Sequence, residues 1–152
     1  MSTLSDQVER LEVLLPLIED GITISPRYEC KIDPRDLPTF IIVPGAGRRE
    51  RMGAHHWSTT RDFLLLMLVL KAPDTTSEAM LEAREACYPY LDLVPQFFVD
   101  HEFLELDGTD TGLPGVIGTT LPREDGSQLT DWGGDKFAAI AFRMSITSAE
   151  EG

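Results

Sequence analysis

The chain has 152 residues, and 26 Asp and Glu against 13 Lys and Arg give it a formal charge of −13. The length suits a single domain over 1–152, and 42% hydrophobic with 26% charged residues supplies a packed core, which excludes wholesale disorder. The acidic balance argues against a basic face gripping phosphates, because non-specific nucleic-acid affinity comes from Lys and Arg.

The N-terminus, Met1 to Asp6, lacks a basic stretch leading an apolar one, so no signal peptide is expected. Leu4, Val8, Leu11, Leu15 and Ile18 recur at spacings of four and three, the stripe of an amphipathic helix. Thr3 and Asp6 fit a capping box, and Pro16 predicts a kink or an end near Leu15. Pro26 and Pro34 lie in 22–37, which reads as an extended connection with a short strand at Ile22 to Ile24.

Pro38 to Val43 is a β-branched run closed by Pro44-Gly45 and reads as a strand. Gly45 to His56 reads as a glycine-rich, locally basic loop. Trp57 to Ala72 follows as a long strand, and Phe63 to Leu70 is apolar on both alternating faces, which predicts cover on two sides. That apolar run is eight residues, far short of the ~20 needed to span a bilayer, so no membrane association is expected.

Thr75 with Glu78 fits a capping box for a second helix, whose stripe of Met80, Ala83, Cys87 and Leu91 is interrupted at Pro89. Leu91 to Phe103 is helix-like in part, with a break expected at Pro95, and Asp107-Gly108 and Gly112 mark turns. Gly115 to Leu121 reads as a third strand, Pro122 to Gly134 as a polar turn region, and Lys136 to Thr147 as the last strand. The acidic tail 148–152 is expected to fray. Strand pairs without an intervening helix read as hairpins. The predicted fold is therefore α+β: an antiparallel β-sheet of about four strands with two main helices packed on one face.

Few motifs carry chemistry. Gly45-Ala-Gly-Arg-Arg49 can cradle an anion, but it lacks the lysine and Ser/Thr of the Walker motif and the third glycine of GxGxxG. The alternative is a hairpin loop whose arginines stay solvated or meet an acidic partner. Arg48, Arg49 and Arg51 reverse the local sign in an acidic protein, a pattern that steers association with acidic partners.

Adjacent His55 and His56 on a strand point to opposite faces, and His101-Glu102 has no HExxH spacing, so no metal site is expected. Cys30 and Cys87 have no CxxC spacing, Cys87 lies on a helical stripe, and neither GxSxG nor SxxK occurs. The sequence thus gives no catalytic residue and no cofactor site. Trp132-Gly133-Gly134 reads as a turn with an aromatic plug, or as a place where the glycines let a neighbouring chain approach. The aromatic supply of Phe97, Phe98 and Phe103 exceeds what two short helices cover, and either a subunit interface or a larger helical layer would absorb it.

This layout resembles the tail terminator (tail completion) proteins of long-tailed phages. The resemblance covers nearly the whole chain: the amphipathic helix before a Pro-bounded strand, the Arg-bearing segment leading into Phe63-Leu-Leu-Leu-Met-Leu-Val-Leu70, the helix from Thr75 to Tyr88, the turn at Asp107-Gly108, and Trp132 to Ile146. It implies a non-enzymatic virion protein, assembled in the host cytoplasm. Six copies would form a ring that caps the tail tube, stops its growth and meets a head-side connector protein. It also implies that Arg48, Arg49, Arg51 and Trp132 are protein-interface candidates, and that DNA passes through without specific binding because the acidic chain repels it. The rival readings are another neck protein, such as a stopper or adaptor, and a small ligand-binding domain or enzyme using the Gly45–His56 loop.

Overall fold

A computed structural model describes residues 2–72, 77–106 and 110–151, with backbone alone for Ser77, Leu121, Pro122, Glu150 and Glu151. The elements are α1 (Leu4–Leu14), β1 (Thr23–Ile24), β2 (Thr39–Arg51), β3 (His56–Lys71), α2 (Ser77–Glu85), α3 (Tyr88–Asp100), β4 (Val116–Trp132) and β5 (Asp135–Glu151). The α+β class is as expected. The sheet has five strands in the order β1-β2-β3-β5-β4, and it is mixed rather than purely antiparallel because the two-residue β1 runs parallel to β2.

Helix α1 begins as its sequence dictates. The Thr3 hydroxyl accepts from the Asp6 N–H at 3.1 Å, and the Asp6 carboxylate accepts from the Thr3 N–H at 2.9 Å. Pro16 removes a helical donor, so the helix tightens into a 3₁₀ turn at Leu15–Leu17. Val8, Leu11, Leu14 and Leu15 are buried against the sheet.

The predicted second helix is two helices. Pro89 opens α3 within its first turn, where the missing N–H costs nothing, instead of interrupting one stripe. Pro95 lies inside α3, which runs on to Asp100 without the expected break. The Thr75 side of the capping box and the Asp107-Gly108 turn lie outside the described residues.

Helices α1, α2 and α3 share one face of the sheet. Leu11, Cys87, Val94 and Phe98 meet Phe40, Leu65, Met67, Ile140 and Phe142 in the main core. Each large apolar side chain buried there contributes on the order of 1.5–3 kcal/mol. The opposite face carries a smaller cluster of Ile41, Leu68, Phe137 and Ala139, sealed by Ile32, Cys30 and Leu37 of the connector 25–38 and by Trp132. Cover on the second side thus comes from an irregular segment, while Leu70, which a bulge sets across from Ala138, is 44% exposed near the end of β3.

Three strand boundaries differ from those expected. The Gly45–His56 segment is not a loop: β2 continues to Arg51, and only 52–55 turn the chain. A register shift between Pro44 and Gly47 lets the glycine-rich stretch stay paired with β3, from Gly47↔Arg61 to Arg51↔Trp57. Residues 122–132 are not a turn region either, since they form the second half of β4, held to β5 through three register shifts. The acidic tail is strand as far as Glu151 because Trp57 and His56 of β3 pair with Glu150 and Glu151.

Candidate protein-interaction site

The tip of the β2–β3 hairpin gathers the basic residues. Alternation along β2 puts Arg49 and Arg51 on one face and Arg48 with Glu50 on the other. Trp57 stands directly across from Arg51 and diagonally from Arg49. The Arg49 guanidinium lies 4.9 Å from the Trp57 ring centre and that of Arg51 5.9 Å away. Arg51 also donates from Nε to the Gly53 carbonyl at 3.0 Å and from Nη2 to the Ala54 carbonyl at 3.1 Å, which ties the turn to the strand.

Arg61 completes the cluster. Its Nη1 donates to the Gly45 carbonyl at 2.9 Å, and its guanidinium passes over Gly47, where a Cβ would stand 2.7 Å from Nη2. A side chain at 47 would have to displace this guanidinium, the far end of a flexible side chain, so the glycine leaves room for Arg61 to lie across the strand. Gly47, Arg48, Arg49, Thr59 and Arg61 line a shallow depression of about 290 Å³. Sequence reading missed Trp57 and Arg61 as members of this site. Their signal was available in the period-two spacing of 57, 59 and 61, but reading Gly45–His56 as a loop removed the strand that they pair with.

Trp132 is not part of this cluster. It closes β4 at the far end of the sheet, half-buried against the connector cluster, with its Nε1 buried and without a hydrogen-bond partner among the described residues. Gly133 and Gly134 follow with φ of +58° and +87°, a two-residue hairpin turn that requires both to be left-handed. The connector's Cys30 carbonyl packs against the Gly133 Cα, and the Gly133 N–H donates to Glu29 Oε1 at 3.0 Å. The close approach that the glycines permit is made here by the chain's own connector.

A larger depression of about 430 Å³ opens beside the hairpin, where Val43, Leu64, Arg143 and Arg123 form one row across β2, β3, β5 and β4. Arg143 donates from Nε to Asp125 at 3.0 Å, and Ser145 donates to Asp62 at 2.6 Å. The row holds two arginines, and Asp62 lines the same depression, so side chains of both signs border it. Cys87 is fully buried, and burial pushes its thiol up. His55 and His56 are exposed at the hairpin tip, while His101 stacks on Phe97 at 4.0 Å and shares a 2.7 Å hydrogen bond with the Phe97 carbonyl. No group of three or more His, Cys, Asp and Glu among the described residues is placed to hold a metal ion. No helix of these residues is long and apolar enough to cross a membrane.

The hairpin tip thus presents guanidinium groups held in place by an indole, neighbouring carbonyls and strand pairing. Comparison with protein-family models and with curated proteins finds no match for this chain.

Proposed function

We propose that this chain is a structural protein of the virion of a long-tailed phage. It acts as a tail terminator: copies close into a ring, six by analogy with the proteins it resembles, on the finished tail tube. The ring stops tube growth and presents its other side to the head-side connector. One observation carries this reading most directly. The subunit has unlike lateral sides, with the arginine-bearing end of β2 at one edge of the sheet and the carboxylate-rich helices α2 and α3 over the other. Such a subunit associates head to tail, and a head-to-tail contact that closes gives a ring with two different faces for two different partners.

A capped helix ahead of a long arginine-bearing hairpin, and a long final strand, are the parts of the layout that support the reading. The net charge of −13 per copy fits a channel that DNA traverses without sticking. Removing the gene from the phage that carries it tests the reading. The expected result is over-long tail tubes and filled heads that stay unjoined. Tubes of normal length beside unjoined heads would point to a stopper or adaptor, and normal virions would overturn the reading.

A further inference from the structure

Helices α2 and α3 leave an uncovered outer face. Ala83, Cys87, Val94 and Phe98 turn inward, so the opposite sides, with Leu81 on α2 and Tyr88 and Val99 on α3, face out, and Phe103 is exposed in the turn just beyond α3. These four are 49%, 52%, 49% and 39% exposed, a large apolar content for a free helical surface. Carboxylates rim this face. Residues 77–105 hold seven of them, among them the exposed Glu82, Glu85 and Asp92, against Arg84 alone.

The hairpin tip is its complement in both respects. Residues 45–56 hold three arginines against Glu50, and beside them stand Met52, 60% exposed, and the half-exposed ring of Trp57. Within one subunit the two surfaces belong to opposite edges of the sheet. The helices pack on β4, as the bonds from Arg84 Nη2 to the Ser127 carbonyl and from Thr119 Oγ1 to the Glu102 carbonyl show, whereas β2 lies beyond β3 and β5. Tip-to-tip pairing would set arginines against arginines, and face-to-face pairing would set carboxylates against carboxylates.

We infer that the β2–β3 hairpin tip of one copy docks on the outer face of α2–α3 of a second copy. Arg49 and Arg51 meet Glu82, Glu85 and Asp92, Arg48 on the other face of the tip adds its positive charge to the local field, and Met52 and Trp57 cover Leu81 and Tyr88. This inference rests on the ring reading and supplies its contact. The contact is heterologous, so each copy offers one tip and one face and the chain of contacts can close.

Charge reversal tests it. Sedimentation velocity is run on the wild type, on R48E/R49E/R51E, on E82R/E85R/D92R and on an equimolar mixture of the two variants. Circular dichroism verifies that each is folded. The wild type is expected to self-associate, less so at high salt, and each variant alone to associate roughly tenfold more weakly or worse. The mixture is expected to recover assembly, because reversed tips meet reversed faces and native tips meet native ones. A wild type that stays monomeric at the highest soluble concentration overturns the contact, as does a variant that assembles like the wild type or a mixture that does not recover.

If a variant does not fold, a photo-cross-linker on Met52→Cys gives the same decision. Cross-links into residues 77–105 of a second copy support the contact, and cross-links elsewhere or none overturn it. The two readings fail separately. Copies that join by this contact yet let tail tubes grow on remove the terminator function and keep the contact. A tip-reversed chain that caps tubes as well as the wild type removes the contact and keeps the function.

Discussion

The guanidinium of Arg49 lies 4.9 Å from the centre of the Trp57 ring, one strand away and diagonally across the β2–β3 ladder. Two residues apart on β2, Arg49 and Arg51 share this one indole, so like charges that would repel are both held against the same electron-rich ring. The arrangement keeps a basic edge ordered, and on the contact proposed above it would reduce the side-chain entropy lost on docking. A double-mutant cycle with Arg49→Ala and Trp57→Ala is expected to give a coupling of roughly 0.5–1 kcal/mol in urea unfolding. A coupling of zero would mean that the ring does not hold the arginine.

The Gly133-Gly134 turn makes a sharper prediction because its two glycines differ. Both need positive φ, but only Gly133 is pressed against the Cys30 carbonyl, while a Cβ on Gly134 meets nothing. Gly134→Ala is expected to cost about 1–2 kcal/mol, the conformational term alone. Gly133→Ala adds a clash with backbone and is expected to cost roughly 3 kcal/mol. Equal losses in denaturant unfolding would show that the connector does not lean on the turn.

Acid should loosen the molecule at three places. The Asp6 carboxyl is held below its usual value by the Thr3 N–H and hydroxyl, and Asp110 by the Leu106 N–H and then Arg10. Asp33, in its ion pair with Arg35, is brought down to about 2. A carboxyl whose pKa is depressed in the folded state binds fewer protons than the unfolded chain does. Its contribution is therefore present above the unfolded value near ~3.9 and is lost as pH falls through the folded value. Thermal midpoints are expected to fall from about pH 4 downward, and Asp110→Asn is expected to flatten that dependence. An unchanged acid slope in the variant would count against the Asp110 anchor. At neutral pH, Thr3→Ala is expected to cost about 1 kcal/mol by removing the cap of α1.

The two thiols should react in order. Cys30 is half-buried in the connector, whereas Cys87 is fully buried and its thiol is pushed up by burial, which leaves little of the reactive thiolate. Iodoacetamide at pH 8 is expected to add one group per chain quickly, at Cys30, and to reach Cys87 only on unfolding. Fast double modification followed by mass spectrometry would contradict the buried place of Cys87 at the start of α3.

Much of this fold was legible where the signal is local. The α1 stripe, its Thr3–Asp6 cap and its end at Pro16 follow from spacing and from proline's missing donor. The apolar run 63–70 read as a strand because both of its alternating faces are apolar. The misreadings fall where pairing with distant residues overrides local preference. Gly45 to Arg51 has no β-branched residue, yet β3 holds it in the ladder through Thr59 and Thr60. Likewise Arg123 to Gln128 looks like a turn by composition, but β5 pairs with it across bulges that no single segment announces. Of the interaction site, the arginines were visible in the sequence. Their aromatic support and Arg61 were not, because both depend on register.

The central claim is that this protein ends a tail tube, and the most direct measurement adds it to polymerising cognate tube protein under the electron microscope. The account predicts tubes that stop growing, each with a ring of this chain at one end. Tubes that lengthen without limit, with bare ends at saturating concentrations of the protein, would contradict it.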